Sequence, residues 1–374
     1  MNPTSQGFVA AGPRTDRSIG VIDRYRNLLA VTEATPVITL GEGSTPLIES
    51  RKLGALVGKG CRVFLKFEGA NPTGSFKDRG MTVAVSLAAQ RGAKTLVCAS
   101  TGNTSAAAAA YAARAGMRCA VLLPAGKIAS GKLAQAFIYG ATVIGIDGNF
   151  DACLNVVRDL QTEPTVAVVN SINPDRLEGQ KTAAFEIVDE LGDAPSIHIL
   201  PVGNAGNITA YWKGYQEYQR LNRARRTPRM LGFQAAGAAP VFFDRVVASP
   251  ETAASAIRIG NPASWEPAKA AVKESEGAID IVSDEEIFSA QQWLAANEGV
   301  FAEPASAASV AGFLKCADSA RRCESCPFSQ LPEQSNLVLT LTGHGLKDVA
   351  AVLDRCPAPL KAEANKEAVL RLLS

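Results

Sequence analysis

The sequence predicts an α/β protein built from parallel sheets with helices on both faces. Three observations carry that expectation. Short apolar strands alternate with helical patterns from about Met81 to Leu221, the spacing of right-handed βαβ units. Polar or glycine-rich stretches follow directly on several of these strands, where ligands bind in open α/β sheets. A chain of 374 residues, 47% of them hydrophobic, is long enough for two packed domains.

In chain order, a polar tail runs to about Ser18 and residues 21–29 read as a helix. Residues 36–47 are extended and broken by Gly41-Glu42-Gly43. An apolar strand over residues 61–68 leads into Asn71-Pro72-Thr73-Gly74-Ser75-Phe76-Lys77-Asp78-Arg79-Gly80, and a helix over 81–91 follows. Strands over 95–99, 119–123, 142–146 and 166–169 are separated by helices over 106–115, 131–139 and 150–161. Strand 119–123 exits through Pro124-Ala125-Gly126. A long helix over 181–191 precedes a strand at 196–200, and a helix over 208–221 precedes a strand at 229–235. Helices over 283–298 and 305–316 and a strand at 337–342 complete the pattern, with no internal repeat.

Charge and composition exclude several function classes. Lysine and arginine (38) nearly balance aspartate and glutamate (36), so no global basic field favours nucleic acid and any anion must be bound locally. The alanine-rich stretch 105–113 is too short to span a bilayer, and residues 1–20 lack a hydrophobic core, so a soluble, cytoplasmic protein without membrane partners is expected. Of eight cysteines, Cys61, Cys98, Cys119 and Cys153 lie in apolar stretches, the usage of a reducing compartment. Cys316, Cys323 and Cys326 sit closer together in a polar segment, with Cys356 as a conceivable fourth ligand. Paired CxxC spacing is lacking, and the segment reads as a solvated loop rather than a metal site.

Lys77 stands where a strand and turn become a helix. Ser75 is a good helix cap, and the unpaired N–H groups of the first turn disfavour a second positive charge there. A lysine with a lowered pKa is a nucleophilic amine suited to a Schiff base with an aldehyde cofactor. The alternative is an exposed charge pair, Lys77 with Asp78. Three loops then fall at strand ends. In Ser100-Thr101-Gly102-Asn103-Thr104, hydroxyls and helix-start amides suit an oxyanion or carboxylate and Asn103 can donate to a phenolate-like oxygen, beyond what a simple N-cap needs. In Gly203-Asn204-Ala205-Gly206-Asn207, small residues let backbone N–H groups converge on a phosphate. Thr342 ends the last strand, where a hydroxyl can meet a heterocyclic nitrogen without protonating it. His344, between two glycines, reads as a supporting residue, and neither histidine lies in a nucleophile elbow.

With Asn170-Ser171-Ile172-Asn173-Pro174-Asp175-Arg176-Leu177-Glu178-Gly179-Gln180-Lys181-Thr182, Gly260-Asn261-Pro262-Ala263-Ser264-Trp265 and Leu341-Thr342-Gly343-His344-Gly345-Leu346-Lys347, these motifs resemble the pyridoxal-phosphate enzymes of fold type II. The lysine motif is shared with dehydratases and cysteine synthases, whereas the Arg176 segment and the Gly343-to-Lys347 end resemble the threonine synthases. The resemblance implies two open α/β domains with mostly parallel sheets and the cofactor in the cleft between them. The smaller, substrate-side domain would take residues 80–180, and the larger, cofactor-binding domain residues 1–79 plus 181–374.

The resemblance also implies pyridoxal 5'-phosphate as cofactor, a homodimer, and conversion of O-phospho-L-homoserine and water to L-threonine and phosphate by γ-elimination and β-addition of water. Lys77 would carry the cofactor and then shuttle protons. Asn103 would contact the phenolic oxygen, residues 203–207 the cofactor phosphate, and Thr342 the ring nitrogen. Ser100, Thr101, Thr104, Asn170, Ser171 and Arg176 would hold the substrate phosphate, Arg176 foremost because a guanidinium grips it bidentately. Closure of the smaller domain would exclude bulk water. The alternative on this fold is a dehydratase or β-replacement synthase, which needs no second phosphate site. A silent small-molecule binder would have no use for Lys77 beside a cofactor loop.

Overall fold

The computed structural model describes residues 19–100, 102–125, 130–320, 327–353 and 355–373. The polar tail, Thr101, Gly126, Cys323 and Cys326 lie outside the described residues.

Among the described residues ten strands form two sheets: β1 (Leu47–Glu49), β2 (Arg62–Phe67), β3 (Thr95–Ala99), β4 (Arg118–Pro124), β5 (Thr142–Ile146), β6 (Val166–Val168), β7 (Ile197–Pro201), β8 (Arg229–Ala235), β9 (Ala278–Val282) and β10 (Asn336–Leu341). The four-stranded sheet runs β5-β4-β3-β6 and is parallel throughout. The six-stranded sheet runs β1-β2-β10-β7-β8-β9, parallel except for the β1–β2 pair. The last strand is thus inserted between the second and the seventh. That insertion sets the loop after β10 against the lysine turn, where Ser75 bridges Gly343 and the Phe76 N–H donates to Thr342 O at 3.0 Å.

Strands with both faces covered read as continuous apolar runs, and β7 is buried at every residue. One face of the larger sheet packs Leu65, Ile199, Leu231 and Leu339 against Leu53, Leu294 and Phe313. The other packs Leu200 and Val338 against Phe185, Tyr211, Tyr215 and Tyr218. In the smaller sheet Leu96, Val121 and Leu123 meet Tyr111 and the alanines of helix Asn103–Ala115, while Val97 and Leu122 meet Cys153 and Val157 of helix Phe150–Asp159.

Helix Lys77–Gln90 joins the two cores. Its Val83 and Leu87 belong to the larger unit, and Met81, Ala84, Val85 and Ala88 to the smaller. This is why it is buried nearly all round. It also runs backbone to backbone past helix Pro174–Leu191, since a Cβ on Gly179 would stand 1.9 Å from Arg79 O.

Several element starts differ from expectation. Helix Pro174–Leu191 begins one and a half turns or more before residue 181, because Asn173 caps it by accepting the Asp175 N–H at 2.8 Å and Pro174 suits the first helical position. The short strand β9 was not anticipated; it is half-buried at the sheet edge. Ser75 is not the helix cap. Its backbone is committed to the bridge with Gly343, Phe76 takes the cap position, and Ser75 Oγ stands 3.4 Å from the Lys77 N–H. Among the described residues no helix is long and apolar enough to cross a membrane, and no three His, Cys, Asp or Glu side chains group as metal ligands.

Candidate active site

A cleft of about 2290 Å³ opens between the two sheets at the carboxyl ends of β3, β7 and β10. Every described candidate from the sequence lines it: Lys77, Ser100, Asn103, Thr104, Asn170, Ser171, Arg176, Gly203, Asn204, Ala205, Gly206, Asn207 and Thr342.

Lys77 is the first residue of its helix, with Nζ 4.2 Å from the centre of the Phe76 ring. Its pKa is lowered to about 7, chiefly by burial and then by the Arg176 charge, with Glu303 opposing. Desolvation therefore leads, where the helix start was expected to. Asp78 is buried, accepts the Thr73 N–H at 2.6 Å and the Thr73 hydroxyl, and is pushed by burial to a pKa of about 7. An exposed Lys77–Asp78 charge pair does not exist.

Behind the turn lies a closed ionic cluster. Arg79 donates to Glu68 at 2.7 and 2.8 Å and to Glu186 at 2.8 and 2.7 Å, and Lys66 donates to Glu186 at 2.7 Å. Burial would raise the Glu186 carboxyl, but the two cations outweigh it and hold the pKa well below the usual range. Two positive and two negative charges balance in a fully buried space.

Arg176 shows the opposite condition. It is 1% exposed; Nη1 donates to Val169 O at 3.0 Å, while Nε and Nη2 have no partner. Burial lowers its pKa to about 10. A buried guanidinium with two idle nitrogens at a cleft wall can receive an anion.

The loops hold their donors in different ways. After β7, Ala205 takes a left-handed backbone (φ +62°) just before helix Gly206–Arg220, which turns the chain's N–H groups toward the helix start, and Asn207 Nδ2 is buried without a partner. The Asn204 side chain spans the cleft floor: Nδ2 donates to Ser171 Oγ at 3.0 Å and Oδ1 accepts the Ala263 N–H at 2.8 Å. Asn204 thus braces the Gly260-to-Trp265 segment and touches a residue of the expected substrate set. Asn170 is anchored to Ala99, accepting its N–H at 3.0 Å and donating one amide N–H to its carbonyl at 3.1 Å, which fixes the Ser100 loop and leaves the second N–H of the amide. Ser100 Oγ accepts the Gly102 N–H at 3.3 Å, and Thr104 is buried at the cleft wall.

Thr342 Oγ1 lies 2.9 Å from Ser306 Oγ and 3.4 Å from Glu303 Oε1. His344 Nδ1 accepts the Leu346 N–H at 3.1 Å, the turn-supporting role its glycine neighbours suggested.

Glu303 and Lys347 were not assigned from the sequence. Glu303 stands just ahead of helix Pro304–Ala320, is raised in pKa by burial, and accepts Asn103 Nδ2 on both oxygens. Its signal was a lone acidic residue before a proline-initiated helix, which points to no site. A pyridoxal-phosphate group fits these residues: a lysine amine that loses its proton near neutrality, an orphaned Asn207 donor at a helix start, and the Thr342 hydroxyl in the same cleft.

The fold and this set of side chains are those of a cofactor-carrying lysine enzyme, and residues 38–326 match the family described as pyridoxal-phosphate dependent enzyme. A threonine synthase of Synechocystis sp. is 56% identical over 343 residues, covering 92% of this chain and 87% of that protein. A threonine synthase of Mycobacterium tuberculosis is 55% identical over 355 residues, covering 95% and 96%. The solved structure of maize serine racemase has a TM-score of 0.71 at 22% identity, covering 90% of this chain and 96% of that one, a likeness of fold. The chain belongs to the pyridoxal-phosphate dependent enzymes and, among them, to the threonine synthases.

Proposed function

We propose that the chain converts O-phospho-L-homoserine and water to L-threonine and phosphate. The observation that carries the reading is Arg176, which lines the cleft together with Lys77 and whose buried Nε and Nη2 have no partner. A dehydratase has no second phosphate to place there.

Pyridoxal phosphate, when bound, supplies the carbonyl that captures the substrate amine and the electron sink for carbon acids. Lys77 and Thr342 would hold it at its two ends, residues 203–207 would bind its phosphate, and Asn103, oriented by Glu303, would meet its phenolic oxygen. Lys77, neutral above about pH 7, takes and returns protons at the substrate carbons. Arg176, with Ser100, Thr101, Thr104 and Ser171, grips the γ-phosphate and stabilises it as it leaves. Asn170, held in place by Ala99, joins this set with its second amide N–H. Residues 80–180 act as the closing unit that keeps bulk water out, and residues 1–79 with 181–374 as the cofactor-holding unit. The reading extends to a cytoplasmic homodimer.

Incubating the cofactor-loaded protein with O-phosphohomoserine and assaying threonine and phosphate tests it. Equimolar threonine and phosphate are expected; release of ammonia and keto acid from serine, with O-phosphohomoserine untouched, would replace the reading with a dehydratase.

A further inference from the structure

Lys347 leaves the loop after β10 and meets both the lysine turn and the smaller unit. Its Nζ donates to Thr73 O at 2.9 Å and to Gln135 Oε1. Gln135 completes a triangle, its Nε2 donating to the same Thr73 O at 3.4 Å. Gln135 lies on helix Ser130–Ile138, whose Leu133 and Ala136 are buried in the core of the four-stranded sheet. Thr73 lies in the turn that delivers Lys77, and its N–H and hydroxyl are held by Asp78. At Gly74, whose φ is +85°, an added Cβ would stand 3.1 Å from Lys347 Cδ, so the lysine stem lies against the turn. The ammonium is largely desolvated, which lowers its pKa, and the Glu303 and Asp78 carboxylates facing it act in the other direction.

A lysine suits this place because its ammonium has three N–H donors and no acceptor, and can face two carbonyl-type oxygens on different elements at once. We propose that Lys347 is a positioning residue: through the triangle with Gln135 and Thr73 it ties the seat of helix Ser130–Ile138 to the turn that sets Lys77. The two units on either side of the cleft then adjust together. The idea rests on the proposed reaction, in which the smaller unit closes over substrate while Lys77 moves protons.

The test uses the cofactor-loaded protein with Lys347→Met and Gln135→Met, singly and together. Hydrogen exchange is followed in peptides covering residues 73–77 and 130–138, and KM and kcat are measured with O-phosphohomoserine. Gln135→Met, remote in sequence from the turn, is expected to speed exchange there by roughly tenfold, and Lys347→Met to speed it in both peptides. Both should raise KM by about tenfold with kcat changed less, because the closed arrangement becomes less populated. The double variant should be no worse than Lys347→Met. Unchanged turn exchange in Gln135→Met, or losses that multiply in the double variant, would overturn the proposal. If the parent forms no threonine, the reaction reading fails, and the exchange measurements still decide the coupling.

Discussion

Asn103 Nδ2 reaches both carboxylate oxygens of Glu303, at 3.1 and 3.0 Å, across the cleft that separates the two sheets. The pair fixes which end of the Asn103 amide turns toward the Glu303 wall, an orientation that Asn103 alone would not hold. Glu303→Gln keeps the size but removes the charge and sets a second NH₂ donor near Asn103. Loss of a charge-assisted contact of about 1.5–3 kcal/mol should weaken cofactor binding by roughly tenfold or more, read by titrating cofactor-free protein with pyridoxal phosphate. Unchanged affinity would show that Asn103 needs no orienting partner.

Lys77 should behave as an amine that titrates near neutrality. Its folded pKa of about 7 lies below the value in the unfolded chain, so between about pH 7 and 10.5 the unfolded state holds a proton that the folded state lacks. Stability from this group therefore rises with pH across that window, and Lys77→Met should flatten the rise. In the parent, borohydride should fix the cofactor on the peptide containing Lys77. An amine-modification midpoint near 10, or label on another lysine, would remove Lys77 from its role.

Arg79 is two residues further along and has a different task. Arg79→Met leaves Glu68 and Glu186 with Lys66 as the one cation of the cluster, an uncompensated buried charge that costs about 3–5 kcal/mol. Urea denaturation should show a loss of that size. The depressed Glu186 pKa means the cluster's contribution is complete above about pH 4.5 and disappears as pH falls further, so parent and variant should converge in acid. A parallel pair of stability–pH curves would place the Arg79 contribution outside the cluster.

Lys77, the 203–207 loop and Thr342 were legible in the sequence because each lies where a short-range pattern changes at a strand end or turn. Glu303 was not. Its place beside Asn103 depends on β10 entering between β2 and β7 and on the Glu303 N–H meeting Gly343 O at 3.0 Å, a contact between distant segments. Ser75 read as a cap from residue type alone, and the bridge to Gly343, equally long-range, took its backbone away. For Asn170 the residue type was right for the cleft, and its pairing with Ala99, which no local pattern shows, is made by the β3–β6 register that brings the two strands' ends together. β9 escaped because Ala278-Ile279-Asp280-Ile281-Val282 is a short run broken by Asp280, and it is a half-buried edge strand.

Arg176 separates the proposed reaction from that of dehydratases. Arg176→Leu keeps much of the apolar stem and removes a buried guanidinium whose Nε and Nη2 lack partners, at the cost of the Nη1 bond to Val169 O. If those nitrogens grip the γ-phosphate, the lost contact is worth about 1.5–3 kcal/mol or more, and kcat/KM for O-phosphohomoserine should fall by tenfold to over a hundredfold. Deamination of serine or threonine, where measurable as a side activity, should change far less, because those substrates carry no γ-phosphate. Removing Arg176 also removes the like charge that helps depress Lys77, so the Lys77 amine should titrate higher in the variant, toward its ordinary value. Cofactor affinity should survive, since residues 203–207 are proposed to hold that phosphate. Equal losses in both activities, or loss of bound cofactor, would show Arg176 to be a support for the cofactor site and would return the cleft to the dehydratase reading.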